Sequence, residues 1–123
     1  MEENKNYIIL SCEFKIEKSN IKELKEIVFD RTKKRIETQD LSHPSCGSVF
    51  RNPEGTSSWK LIDGVGLKGY NINGAEVSTK HANFIINKNG ATGKDIIMLI
   101  EKVQKEIKDK YNIELRLEQI IVR

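Results

Sequence analysis

The stretch from Thr92 to Tyr111 constrains the fold of this chain more than any other. Thr92 followed three residues later by Asp95 reads as a helix start, because the hydroxyl and the carboxylate can satisfy backbone N–H groups that the first turn leaves free. Ile96, Leu99, Ile100, Val103, Ile107 and Tyr111 then recur at helical spacing on one face. Glu101/Lys105 and Glu106/Lys110 support the wet side at i,i+4, and Asn112 can end the helix. An apolar stripe this continuous needs a second layer to cover it. Short strand-like pieces nearby offer one: Ser48-Val49-Phe50-Arg51, Glu76-Val77-Ser78, Asn83 to Asn87, and Ile113, Leu115 and Leu117 alternating with Glu114, Arg116 and Glu118.

Upstream, Tyr7 to Glu17 alternates, with Ile8, Leu10, Cys12, Phe14 and Ile16 on one parity, and reads as a half-buried strand with Cys12 as a buried thiol. Asn20 with Glu23 three residues on opens a second long helix that runs to about Thr38 or Gln39. Its apolar positions Ile21, Leu24, Val28 and Ile36 keep helical spacing, and Arg31, Lys33, Lys34 and Arg35 place cations toward its C-terminal end, where the helix dipole favours them. From Asp40 to Gly74 the character changes, since both prolines and six of the eight glycines fall there. Ser57 to Ile62 reads as a short helix, and Gly64, Gly66 and Gly69 as turns. The expected architecture is α+β: one small sandwich domain, a mainly antiparallel sheet packed against two long helices and one short helix.

Composition excludes several classes. The net charge of +3 comes from 21 Lys+Arg against 18 Asp+Glu, so no single-sign field marks a nucleic-acid surface. None of the aromatic residues interleaves with the basic run as base stacking would require. No apolar run is long enough to span a bilayer, and no signal peptide opens the chain, so the expected location is cytoplasmic, with neither membrane nor nucleic acid as partner. Cys12 and Cys46 are too few for a disulfide framework or a four-ligand zinc site, and no metal is expected.

The middle of the chain carries a series of motifs in fixed order: Pro44-Ser45-Cys46-Gly47-Ser48-Val49-Phe50-Arg51-Asn52-Pro53, Trp59-Lys60-Leu61-Ile62-Asp63, Gly66-Leu67-Lys68-Gly69, Gly74-Ala75, and Val77 through Asn87. In that order and spacing the chain resembles the C-terminal domain of the UDP-N-acetylenolpyruvoylglucosamine reductase (MurB) family, over roughly residues 7 to 122. The resemblance implies a single domain over 1–123 of MurB C-terminal type, without the family's N-terminal FAD-binding domain. It implies the substrate-binding and acid-catalytic part of UDP-N-acetylmuramate dehydrogenase, an oxidoreductase of peptidoglycan synthesis in which NADPH reduces FAD and the UDP-N-acetylglucosamine enolpyruvyl ether is then reduced. FAD and NADPH belong to the complete enzyme; neither is expected on this chain alone, which is expected to be inactive without a separate flavin-binding domain or protein.

By the same resemblance Ser48 falls on the family's proton donor and Glu118 on its second catalytic position. A serine hydroxyl is a weak acid, suited to a strongly basic enolate held within hydrogen-bond reach. Gly47 would let the backbone approach the substrate, Asn52 matches a substrate-contacting asparagine, and His81 falls where some members carry a glutamine that touches the nucleotide-sugar. Lys34 and Arg35 are candidates to pair the diphosphate. Departures from the family pattern are Asp40 in place of a proline, Arg51 of a lysine, Asn73 of a glycine, and a Val122-Arg123 ending without a terminal glycine. Asp40 would set an acid near an anionic ligand.

Plainer readings stand beside these. A serine after a glycine is usually a turn residue, Glu118 on a strand is simply a solvated carboxylate, and His81 is equally a strand-edge histidine satisfied by backbone. The main functional alternative is a non-catalytic UDP-sugar-binding or regulatory module. Cys46 with His43 or His81 suggests a thiol hydrolase or a metal site, but needs an activating base or a ligand spacing that the sequence does not display.

Overall fold

A computed structural model describes residues 8–122. Seven elements follow in order: α1 (Ile21–Thr38), β1 (Ser45–Ser48), α2 (Ser58–Gly64), β2 (Asn71–Ile72), β3 (Ala75–Val77), β4 (Phe84–Asn87) and α3 (Gly93–Tyr111). The four strands form one antiparallel sheet in the order β1-β4-β3-β2. The class is the α+β arrangement that the periodicities imply.

α3 begins at Thr92, whose hydroxyl accepts from the Asp95 amide while the Asp95 carboxylate accepts from the Thr92 amide, a reciprocal capping box. Asn112 ends it in the left-handed conformation at φ 55°. Its buried stripe of Leu99, Ile100, Val103 and Ile107 packs on β2 and β3 and meets Val49, Phe50, Ile62, Val77 and Leu115 in one core. The β2–β3 connection is a two-residue turn, Asn73-Gly74, with Asn73 at φ 53°. Asn73 Nδ2 donates to Asp95 Oδ1 at 2.6 Å. The asparagine that departs from a glycine position thus occupies the backbone region a glycine would adopt and also ties the hairpin to the start of α3.

Three expectations differ from the structure. Residues 8–17 form no strand and are exposed, Leu10 at 90% and Cys12 among them, while Tyr7 lies outside the described residues. Alternation marks the face a strand would bury, but neither edge of the sheet pairs with this segment, so the ladder that would make it a strand is missing. α1 forms over its expected span, with Asn20 Oδ1 accepting from the Lys22 amide, yet none of its residues is buried, so α3 and α2 do the packing. The stretch from Ile113 to Leu117 runs beside the Val49–Arg51 segment, joined by a single Phe50–Leu117 bridge rather than as a full strand.

Candidate functional site

The site is built on an irregularity in the sheet. Ser45 pairs with Ile86 and Ser48 with Phe84, so β1 takes three steps where β4 takes two. The extra residue is a β-bulge, and Gly47, at φ +79°, supplies the conformation that an L side chain rarely adopts. A Cβ built on Gly47 meets nothing within 4 Å, so the backbone there lies open to an approaching molecule. Beyond the bulge Ser48 is exposed while Val49 and Phe50 are both buried.

Buried amides hold this segment in place. Asn83, 5% exposed, accepts from the Phe50 amide through Oδ1 at 3.0 Å and donates from Nδ2 to the Phe50 carbonyl at 2.8 Å. Its own carbonyl accepts from the Val49 amide at 2.9 Å. From the other side the Glu118 amide donates to the Val49 carbonyl at 2.9 Å and the Arg51 amide to the Arg116 carbonyl at 2.9 Å. Ser48 and Glu118, some seventy residues apart in sequence, therefore stand on adjacent backbone segments. The Glu118 carboxylate meets Arg51, Oε2 to Nε at 3.0 Å, and both side chains are well exposed.

Asn52 lies just beyond. Its Oδ1 accepts from the Ser58 amide at 3.0 Å, and the Ser58 hydroxyl, fully buried, donates to the Arg51 carbonyl at 2.6 Å, so the first residue of α2 fixes the Arg51-Asn52 backbone. Arg51, Asn52, Pro53, Glu54, Glu114 and Arg116 line a polar cleft of about 430 Å³.

A second cleft, about 410 Å³, is lined by Glu37, Thr38, Gln39, Trp59, Lys68, Lys80, His81 and Ala82. Ser78 Oγ accepts from the Lys80 and His81 amides at 3.1 and 3.3 Å and so shapes the turn that carries His81. His81 Nδ1 accepts from the Asn83 amide at 3.3 Å, and its ring lies 4.7 Å from that of Phe84, the residue opposite Ser48. Burial holds the imidazole below the ordinary value of 6.5, and the Lys68 charge pushes the same way. A neutral ring that accepts at Nδ1 carries its proton on Nε2.

Lys34 and Arg35 are exposed on α1 and line neither cleft; Arg35 Nε donates to Gln39 Oε1 at 3.1 Å, and Gln39 lines the second. Asp40 is turned inward, 7% exposed, with Oδ1 accepting from the Ser42 hydroxyl at 2.6 Å and facing His43 Nδ1 at 3.2 Å. The Ser42 hydroxyl is the main cause that holds its carboxyl below 3.8, against the opposing effect of burial. Cys46 is exposed, and among the described residues no imidazole bonds its thiol and no group of three His, Cys, Asp or Glu side chains forms a metal site. Asn83 and Ser58 are the positioning residues whose roles sequence patterns left unmarked; the one available signal was, for Asn83, a polar residue within an otherwise apolar run from Ala82 to Ile86.

A family model described as UDP-N-acetylenolpyruvoylglucosamine reductase, C-terminal domain, matches residues 39–122. The chain belongs to this reductase family. It is 46% identical over 117 residues to a UDP-N-acetylenolpyruvoylglucosamine reductase of Clostridium botulinum (strain 657 / Type Ba4), covering 95% of this chain and 38% of that protein. It is 45% identical over 119 residues to the reductase of Oceanobacillus iheyensis, covering 97% of this chain and 39% of that one. The crystal structure of the reductase (MurB) from Thermus caldophilus superimposes with a TM-score of 0.70 at 30% identity, over 86% of this chain and 37% of that chain. The chain thus spans under two-fifths of the length of these MurB relatives, and the fold that carries Ser48 and Glu118 is the MurB C-terminal fold.

Proposed function

We propose that this chain is the substrate-binding and proton-donating part of a UDP-N-acetylmuramate dehydrogenase, acting on UDP-N-acetylglucosamine enolpyruvate in peptidoglycan precursor synthesis in the cytoplasm. The observation that carries the reading is the pairing of the Glu118 amide with the Val49 carbonyl, which sets Glu118 beside the bulge that exposes Ser48.

The α3 N-terminus does not offer a flavin diphosphate a site. The α3 N-terminus, where a diphosphate would seek free amides, is closed by the Thr92–Asp95 capping box, and the Asp95 carboxylate adds negative charge there. FAD and NADPH supply the hydride when bound elsewhere in the complete enzyme, and this chain's work is on the other half of the reduction. Ser48 Oγ gives its proton to the carbon beside the substrate carboxylate and recovers one from solvent. The Arg51 ion pair holds the Glu118 carboxylate at that end of the sheet. Gly47 leaves the approach clear, Asn52 lines one cleft and His81 the other, and the substrate contacts of both are carried by the resemblance.

Titration calorimetry tests the reading directly. UDP-N-acetylglucosamine enolpyruvate should bind the purified chain, with FAD as the control ligand giving no heat. Absence of substrate binding at millimolar concentration, or saturable FAD binding, would overturn it.

A further inference from the structure

We infer that this chain pairs with a second copy of itself through residues 8–17 and the apolar face of α1. Two copies of the alternating segment lie antiparallel across a twofold axis, and the two α1 helices cover the apolar side of that ribbon. None of these residues belongs to the site proposed above, so the pairing is independent of the chemistry proposed for Ser48.

Each copy carries both halves of a buried layer and buries neither. Ile8, Leu10, Cys12, Phe14 and Ile16 fall on one parity, and Phe14 and Ile16 are 77% and 87% exposed. Along α1, Ile21, Leu24, Val28, Phe29 and Ile36 fall on one side of a helix of about 3.6 residues per turn, while Glu23, Asp30, Lys34 and Glu37 fall on the other. Each of those apolar residues is exposed, and Ile21, Leu24, Val28 and Phe29 line a shallow groove of about 450 Å³. An exposed apolar face rimmed by charge marks a contact surface.

One copy does not close this layer alone. Residues 18–20 join the segment directly to α1, but a lone strand laid on its own helix leaves its amides and carbonyls without a ladder. The sheet of the same copy, in the order β1-β4-β3-β2, does not take the segment at either edge. A second copy supplies the missing strand, and an antiparallel pair needs no crossover. The charges on the other parity match themselves. With Phe14 on the twofold axis, Glu13 faces Lys15 of the second copy and Lys15 faces its Glu13. A twofold contact makes every such pair twice. The same register sets Phe14 against Phe14 and Cys12 against Ile16 on the side that α1 covers.

Sedimentation velocity on the full chain, over roughly a hundredfold range of concentration, should show a monomer passing into a dimer and no larger species. Glu13→Lys sets lysine against lysine on both sides of the axis and should weaken the dimer roughly tenfold. Lys15→Glu should do the same, and Glu13→Lys/Lys15→Glu together should restore it, a recovery that an unspecific apolar contact would not give. Val28→Lys/Phe29→Lys should leave a monomer with unchanged helix content by circular dichroism, since no residue of α1 is buried. Cys12 should react with a disulfide-exchange reagent freely in dilute solution, where the monomer prevails, and more slowly as the dimer fills. A chain that stays monomeric throughout, a dimer indifferent to the single exchanges, or a double exchange that fails to restore it would overturn the pairing. Binding to phosphatidylglycerol vesicles that Val28→Lys/Phe29→Lys abolishes, with no dimer formed, would overturn it too and give the face to a lipid surface.

Discussion

Asn83 grips Phe50 at both backbone atoms, Oδ1 to the amide at 3.0 Å and Nδ2 to the carbonyl at 2.8 Å. The side chain behaves as one rung of a sheet at the place where β1 has left its partner, immediately after the bulge. Asn83→Ala strands a buried N–H and a buried carbonyl, so it should cost about 2–4 kcal/mol in equilibrium urea unfolding. A loss below about 0.5 kcal/mol would show that solvent or neighbouring groups satisfy Phe50 equally well.

Two glycines should respond differently to the same added methyl. At Gly47 a Cβ meets open space and the only cost is the positive φ, so Gly47→Ala should lose about 1–2 kcal/mol. At Gly74 a Cβ would run into the Asn89 carbonyl and the Ala91 amide, backbone atoms that cannot turn aside. Gly74→Ala should therefore be the more damaging of the two by thermal unfolding. The reverse order would mean that the loop from Asn89 to Ala91 yields more readily than the bulge.

Acid should unfold the domain in two ranges. His81 is held below 6.5 by burial, so the unfolded chain takes up this proton first; stability is full above pH 6.5 and declines as pH falls through the folded value. Asp95, held below 3.8 chiefly by the Thr92 hydroxyl, and Asp40, held there chiefly by the Ser42 hydroxyl, contribute stability present above 3.8 and lost as pH falls through their folded values. Stability measured against pH should lose its upper step in His81→Gln and keep the lower one. An unchanged upper step would assign it to another group.

The elements that depend on local chemistry were legible. Thr92, Asp95 and the stripe from Ile96 to Ile107 define α3 without reference to anything else, and α1 forms over its expected span for the same reason. What the sequence could not carry is partnership. Ile8, Leu10, Phe14 and Ile16 alternate as a strand should, but no sheet edge among the described residues takes them. The site divides in the same way. Motif order pointed to Ser48 and Glu118, and the Glu118–Val49 hydrogen bond does set them on adjacent segments. Asn83 and Ser58 act through hydrogen bonds to Phe50, Arg51 and Asn52 that no spacing along the chain reveals, whereas Lys34 and Arg35, singled out by their charge, stand outside both clefts.

The placement of Cys12 has a simple chemical check. Both thiols are exposed, so a disulfide-exchange reagent should titrate two cysteines in the folded chain, and Cys12→Ser should leave one. A single reactive thiol in the parent chain would mean that residues 8–17 are covered in solution.

The central claim is that Ser48 delivers a proton to the substrate. Joining this chain, residue for residue, to the part of the Oceanobacillus iheyensis relative that it does not cover, and following substrate-dependent NADPH oxidation, tests it most directly. Turnover should appear with Ser48 and fall about 10²–10⁴-fold in Ser48→Ala, with KM little changed because the proton is given up only in the transition state. Turnover that survives Ser48→Ala intact would contradict the claim.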